Sequence, residues 1–335
     1  MPALPRPATG PGSRYTARAA TTRTRPTPAR AKPDIVALAR RLTARDLWLT
    51  ALIHEHRVLT AQQITRLAFT STRSAQRRLR TLHHYGVLDS FRPLTVSGSA
   101  PEHYTLGPAG AQLLAAQAAR DMTDTLWRPT STGRIAYSPW LGHDTGVNEL
   151  LTHLAAHTRH HPHTRLPLWL SENSCARRWG DIIRPDAYAH WTETTPHGER
   201  LLPFFLEYDT GSQTLARVEA KLPGYAAFTT ATGTAPALLI HTRTASRELA
   251  LRRRLTDPAR DLGLRLATAS LDQTTDTPHA RWWMPLEPTA GRLTLTGLAV
   301  RWHPLTPATG LEATDADTPL TLPVPPLPPA PHTAP

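Results

Sequence analysis

Between residues 34 and 120 apolar positions recur at helical spacing and then give way to short alternating runs. Leu49, Leu52 and Ile53 mark one helix, and Thr60-Ala-Gln-Gln63 forms a capping box that opens the next over Ile64 and Leu67. Ser71 or a neighbour caps a third helix, with Ala75, Leu79 and Leu82 on one stripe and Arg73, Arg77, Arg80 and His84 on the opposite one. Gly86 ends it. Residues 87–91 and 103–106 read as a hairpin around Ser97-Gly98-Ser99, after which Pro108 opens a helix over Leu113 and Leu114. Helix, helix, helix, hairpin, helix is the order of a winged helix-turn-helix.

From residue 141 to 271 helical and strand patterns alternate. Val147, Leu150, Leu151 and Leu154 mark a helix; residues 166–171, 182–191 (with a proline early on) and 201–209 read as three strands. Leu215, Val218, Leu222 and Tyr225 mark another helix and 237–241 a short apolar strand, giving the order αβββαβ. Beyond it, 247–262 reads as a helix broken at Pro258, and 264–271 as an edge strand. The fold class expected is therefore α/β (α+β): a winged helix-turn-helix followed by a second αβββαβ domain, between disordered tails.

Length and composition sharpen these limits. A chain of 335 residues, 40% hydrophobic, has room for roughly two domains, and its 33 prolines put part of it outside regular structure. The expected division is a disordered basic arm over 1–33, the winged helix over 34–128, the α/β domain over 129–275, a C-terminal extension over 276–318 and a proline-rich tail over 319–335. A single cysteine, Cys175, excludes an internal disulfide framework and Cys-rich zinc modules. The absence of a long apolar run argues against a membrane partner, so the expected location is cytoplasmic.

Charge adds a partner. The net charge is +12, and residues 1–33 carry seven basic residues and no acid. Such an arm, set before a helix lined with Arg73, Arg77, Arg78, Arg80 and His84, suits double-stranded DNA: phosphates attract the cations and guanine edges accept from arginine. The plain alternative is a solvated arginine face. Only Lys32 and Lys221 are lysines.

Acids are sparse in the strands of the second block. Glu207 and Asp209 end the apolar run LLPFFLEYD, and alternation puts both on one face. With Asp186 on the neighbouring strand they form a possible oxygen set for Mg²⁺ or Mn²⁺, and Lys221 stands twelve residues on to stabilise developing negative charge. Asp186, Glu207, Asp209 and Lys221 are thus the candidate catalytic residues and the three acids the candidate metal ligands; Glu149 is a weaker fourth acid. Acids on the second and third strands of an αβββαβ order are the pattern of a PD-(D/E)xK-like nuclease. Equally, Glu207 and Asp209 could be strand-end residues paired with Arg217 or Arg184, with Lys221 on the surface. Weaker constellations are the histidines at 153, 157, 160, 161 and 163, which lack a completing acid or cysteine for zinc, and Trp282-Trp283, which reads as core packing rather than a base-stacking platform.

The stretches RPDAYAHW and LLPFFLEYDTGSQTLARVEAKLPGY, preceded by LGHDTGVNELLTHL and HYTLGPAG, resemble the replication-relaxation family of actinobacterial plasmids and mobile elements over roughly residues 45–260. The resemblance covers Glu207, Asp209, Gly211, Lys221 and Tyr225. It implies a role in plasmid replication or copy-number control, with plasmid replication proteins as further partners, and a second domain similar to restriction-endonuclease-like folds. The usual signature of such nucleases is acid-x-Lys, and here Asp209 holds the lysine's place. Three functions stay open: a DNA-binding replication protein, a metal-dependent DNA nuclease, and a non-catalytic repressor or scaffold with a degenerate nuclease fold.

Overall fold

A computed structural model describes residues 23–25, 34–94, 98–118, 127–272 and 279–311. The basic arm outside 23–25 and the proline-rich tail, both expected to be disordered, lie outside the described residues.

The first block comprises β1 (Arg23–Arg25), α1 (Ile35–Ala39), α2 (Ala44–His56), β2 (Leu59–Thr60), α3 (Ala61–Ala68), α4 (Thr72–His84), β3 (Leu88–Arg92), β4 (His103–Leu106) and α5 (Pro108–Gln117). Its helix starts follow the sequence closely. Thr60 and Gln63 close the capping box of α3, and the Ser71 side chain accepts from Ser74 N to cap α4. Ala75, Leu79 and Leu82 are buried as expected, and Gly86 takes the left-handed backbone, φ 70°, that lets the chain turn into β3. Residues 23–25 correct the expected disordered arm: they pair antiparallel with β3, whose outer edge otherwise presents unpaired backbone groups. The small sheet runs β1-β3-β4-β2.

The second block comprises α6 (Ser131–Ala136), α7 (Leu141–Thr158), β5 (Thr164–Ser171), α8 (Glu172–Trp179), β6 (Ala187–Thr195), β7 (Gly198–Asp209), α9 (Leu215–Glu219), α10 (Leu222–Thr232), β8 (Ala237–Thr242), α11 (Ala245–Asp261), β9 (Leu266–Ser270), β10 (Met284–Pro285) and α12 (Leu295–Arg301). Its six-stranded sheet has the order β10-β9-β8-β7-β6-β5, with β7, β8 and β9 parallel and the outer pairings antiparallel. Alternating residues of β7 face opposite cores: Leu202, Phe204 and Leu206 join one cluster with α7 and α12, while Phe205 joins the other with α8, α10 and α11. The chain is thus a mixed α+β protein. Among the described residues no helix is long and apolar enough to cross a membrane.

Four local expectations change. Helix α8 interrupts the expected run of strands; only Cys175 and Trp179 among its buried residues are strongly apolar, too sparse a pattern to read. The strand expected from residue 182 starts at Ala187, because Ile182 N and Ile183 N both donate to Trp179 O and hold that stretch in a turn. Pro258 does not break α11, which continues through it to Asp261. Strand β9 is not the edge, since β10 pairs beyond it. Trp282, Trp283 and Trp302 are buried in the same cluster as α12, so the segment expected as an extension completes this block.

Candidate functional site

On α4 the polar face divides. Arg73, Arg77, Arg80 and His84 are exposed, with Gln76 beside them, and among the described residues no carboxylate pairs with Arg73, Arg77 or Arg80. Arg78 does something else. Its Nε and an Nη donate to the two oxygens of Asp46 at 2.9 and 2.5 Å, and Asp46, on α2, is 1% exposed. Burial alone would raise the Asp46 carboxyl, but the donors on Arg78 and Thr43 hold it below the usual carboxylate range. Arg78, expected to contact DNA, is therefore the residue that locks α4 to α2. The pair is 32 residues apart in sequence, and nothing local announces it.

The carboxylates gather where β7 ends and β6 begins. Glu207 and Asp209 are both buried on the α10–α11 face, as alternation predicts. Glu207 accepts from Lys221 Nζ at 2.5 Å and from the Tyr225 hydroxyl. Lys221 is not on a helix as expected; it stands at the joint between α9 and α10, where Pro223 starts a new helix and turns the lysine toward β7. Asp186 lies just before β6, one step beyond the pair Ala187↔Leu206, and its Oδ2 accepts from Tyr208 N at 2.6 Å and faces His143 Nε2 at 3.0 Å. Burial and the neighbouring Asp186 push the Glu207 carboxyl up, and Lys221 opposes them.

Asp209 leaves this group. Its Oδ2 accepts from Arg247 Nε at 2.7 Å and its Oδ1 from Gly211 N at 2.7 Å, so it fastens α11 to the strand end instead of meeting Asp186 and Glu207. Asp186, Glu207 and Lys221 come together; the expected Asp186–Glu207–Asp209 triad for Mg²⁺ or Mn²⁺ does not. Among the described residues no group of three or more His, Cys, Asp or Glu is placed to hold a metal ion. Each acid is already balanced by a cation of the chain: Lys221, His143 or Arg247. Glu149 is balanced too, by Arg66 at 2.8 Å and His153 at 3.0 Å, which together with the Gln63 amide outweigh its burial and lower its carboxyl to about 2.

Sequence reading missed the other wall of this region. His56, Arg57, His143, Asp144, Glu172 and Asp186 line a cleft of about 30 Å³, room for about one water. Burial would lower His143, but hydrogen bonds and charges from Asp144 and Asp186 raise it to about 10, so it is a cation at neutral pH. Arg57 lies 3.1 Å from Asp144 Oδ2 and has φ 65°, a strained value for a side-chain-bearing residue. His143 had one legible signal, its place in the LGHDTGVNELLTHL stretch that carries the family resemblance; the positive φ of Arg57 had none. The histidine run is partly built in: the His157 ring lies between those of His161 and His279, with centroids 3.6 and 3.4 Å away.

Fold and site define an α+β protein in which a helical block with an arginine-faced helix is packed against a mixed sheet carrying a carboxylate–lysine cluster. The chain belongs to the replication-relaxation family, whose pattern it matches over residues 50–238, more than half its length. Membership associates it with replication or mobile-element function. Searches found no matching curated protein and no matching solved structure.

Proposed function

We propose that the first block is a winged helix-turn-helix that binds double-stranded DNA through α4, and that the protein acts in replication or copy-number control of a plasmid or other mobile element. The observation that carries this reading is the face of Arg73, Arg77 and Arg80, exposed and without a carboxylate partner among the described residues. Unbalanced cations on one rigid helix are a poor use of surface unless an anion meets them. The basic arm adds charge, and within it residues 23–25 pair with β3 of the hairpin. Partner replication proteins and a cytoplasmic location belong to the same reading. The test is duplex binding by the full chain across a salt series. Steep salt dependence that flattens in Arg77→Ala/Arg80→Ala is expected; binding unchanged by that double substitution would refute the role given to α4.

A second reading is favoured by one observation, the meeting of Asp186, Glu207 and Lys221 at a strand end. It takes the second block as a PD-(D/E)xK-like nuclease whose lysine has moved to the α9–α10 joint. The diversion of Asp209 to Arg247 weighs toward a fold that keeps DNA or partner binding without hydrolysis. Nicking of supercoiled plasmid that requires Mg²⁺ or Mn²⁺ and is lost in Glu207→Ala and Lys221→Ala would establish the nuclease. Intact plasmid under the same conditions would leave the binding function alone.

A further inference from the structure

Two large aromatic side chains stand exposed between α6 and α7: Tyr137, just after α6, at 59% and Trp140, just before α7, at 57%. Neither was singled out by the sequence, and the Trp282-Trp283 pair that was considered for base stacking is buried. The surroundings of Trp140 point to a ligand. Between Asp124 and Asp144 the chain carries Arg128 and Arg134, both exposed, and no acid, with Trp127, Tyr137 and Trp140 among small and proline residues. Trp140 stands edge-on to His143, ring centroids 6.3 Å apart, and His143 Nε2 is 3.0 Å from Asp186 Oδ2. Only one side chain separates the exposed indole from the carboxylate–lysine cluster.

Position adds a second argument. Helix α6 packs on the hairpin of the first block, with Thr132 donating to Asp89 Oδ2 at 2.9 Å, and Ile135, Ala136 and Leu141 close over Phe91 and Val58. The aromatic surface therefore lies between the block proposed to hold duplex DNA and the cluster of the second block. An indole or phenol face in water gains by stacking on any nucleobase, irrespective of sequence, while arginines nearby hold the backbone.

We propose that Tyr137 and Trp140 form a stacking platform for unpaired nucleobases of single-stranded DNA, beside the Asp186–Glu207–Lys221 cluster. The proposal rests on the DNA-binding reading of the first block and adds a second ligand form at a second place. A duplex held on α4 would pass an opened or single-stranded segment across the platform, as happens where a replication origin is melted or a strand is nicked.

The test uses the full chain, a fluorescein-labelled oligothymidylate of about 12 nucleotides, within the range of single-strand site sizes, and a duplex from the cognate element. Tyr137→Ala/Trp140→Ala should weaken oligothymidylate binding by about tenfold or more, the effect of losing one or two stacked bases. Trp140→Phe should recover part of the loss, and duplex affinity should stay within about twofold of wild type. Because both side chains are exposed, near-ultraviolet circular dichroism is expected to report an intact fold. Oligothymidylate binding unchanged in the double variant, with duplex binding still lost in Arg77→Ala/Arg80→Ala, would overturn the platform alone. Failure of the wild type to bind either DNA form would overturn both readings.

Discussion

Arg78 separates the two roles an arginine takes on α4, and its replacement tests the division. In Arg78→Ala the Asp46 carboxylate loses hydrogen bonds of 2.9 and 2.5 Å and keeps the Thr43 amide and hydroxyl donors, both at 2.7 Å. Breaking a fully buried ion pair by removing one partner costs about 3–5 kcal/mol. Here the Arg78 side chain is 28% exposed and two donors remain, which brings the expected loss to about 2 kcal/mol. A loss of that size lowers Tm by roughly 4–8 °C in a domain of this scale. Arg77→Ala removes an exposed side chain and should change stability by no more than about 0.5 kcal/mol.

Binding should sort the same two variants in the opposite order. Arg77→Ala removes an uncompensated charge, and the logarithmic salt slope of duplex binding should flatten by about 0.9. Arg78→Ala should leave the slope near wild type, because Asp46 already neutralises that guanidinium. Stability also carries a pH signature. Asp46 sits below its ordinary value of 3.8, so the pair stabilises fully above that pH and the stabilisation is lost as pH falls beneath it. The Tm gap between wild type and Arg78→Ala should narrow below about pH 4. Thermal melts and fluorescence anisotropy with one labelled duplex supply every measurement. An Arg78→Ala protein that melts like wild type while flattening the salt slope would refute the assignment.

Three further outcomes follow from the same geometry. Gly146→Ala would set a Cβ 2.2 Å from Tyr208 Cε1; the helix-propensity gain of about 1 kcal/mol is outweighed by overpacking of about 1–3 kcal/mol, and urea melts should show a net loss that Tyr208→Leu partly relieves. Lys221→Met removes the cation that opposes the burial of Glu207, so that carboxyl rises further and keeps only Tyr225 as partner, at a cost of about 2 kcal/mol, whereas the double substitution Glu207→Gln/Lys221→Met should cost less; equal losses would mean that the unbalanced Glu207 carboxyl is not what the single substitution costs. His241 is buried with neither ring nitrogen hydrogen-bonded, and burial lowers it to about 3, so the unfolded chain takes up its proton first: stability falls as pH drops from about 6.5 toward that value, and His241→Phe should be both more stable and less sensitive between pH 7 and 5 by urea midpoint.

What the sequence made legible was local. Capping boxes, the Ala75–Leu79–Leu82 stripe, Gly86, Pro108 and the alternation that puts Glu207 with Asp209 all involve residues within a few positions of one another, where backbone geometry alone fixes the outcome. What it hid was the choice of charge partner. Asp46 with Arg78, Asp209 with Arg247 and His143 with Asp186 are separated by 32, 38 and 43 residues, and an acid near several arginines in sequence gives no hint of which one folding brings to it. That is why the three acids looked like one ligand set, whereas Arg247 draws Asp209 away and Asp186 and Glu207 meet beside Lys221. Helix α8 was hidden for a different reason: a helix lying on a sheet with two strong apolar anchors carries little periodic signal.

The two blocks are better understood as one clamp than as two units on a linker. The cores of α2–α4 and of α7 with its sheet belong to a single apolar cluster. Around it groups of the second block bond to the first: Arg159 of α7's end donates to the terminal carbonyls of α3 at Arg66 and Phe69, Asn148 donates to Val58 O at 2.8 Å and Ser171 N donates to Glu55 Oε1 at 2.9 Å, while the His56 ring stacks on Trp169 at 3.7 Å. Parting the blocks would expose that apolar surface and leave these groups to be solvated again, so a freely swinging arrangement is disfavoured on both counts. Helix α7 is the shared element: Glu149 on it holds α3, and His143 near its start holds Asp186. On the DNA-binding reading proposed above, a duplex seated on α4 would meet Tyr137, Trp140 and the carboxylate–lysine cluster in a single geometry, because α7 contacts both blocks.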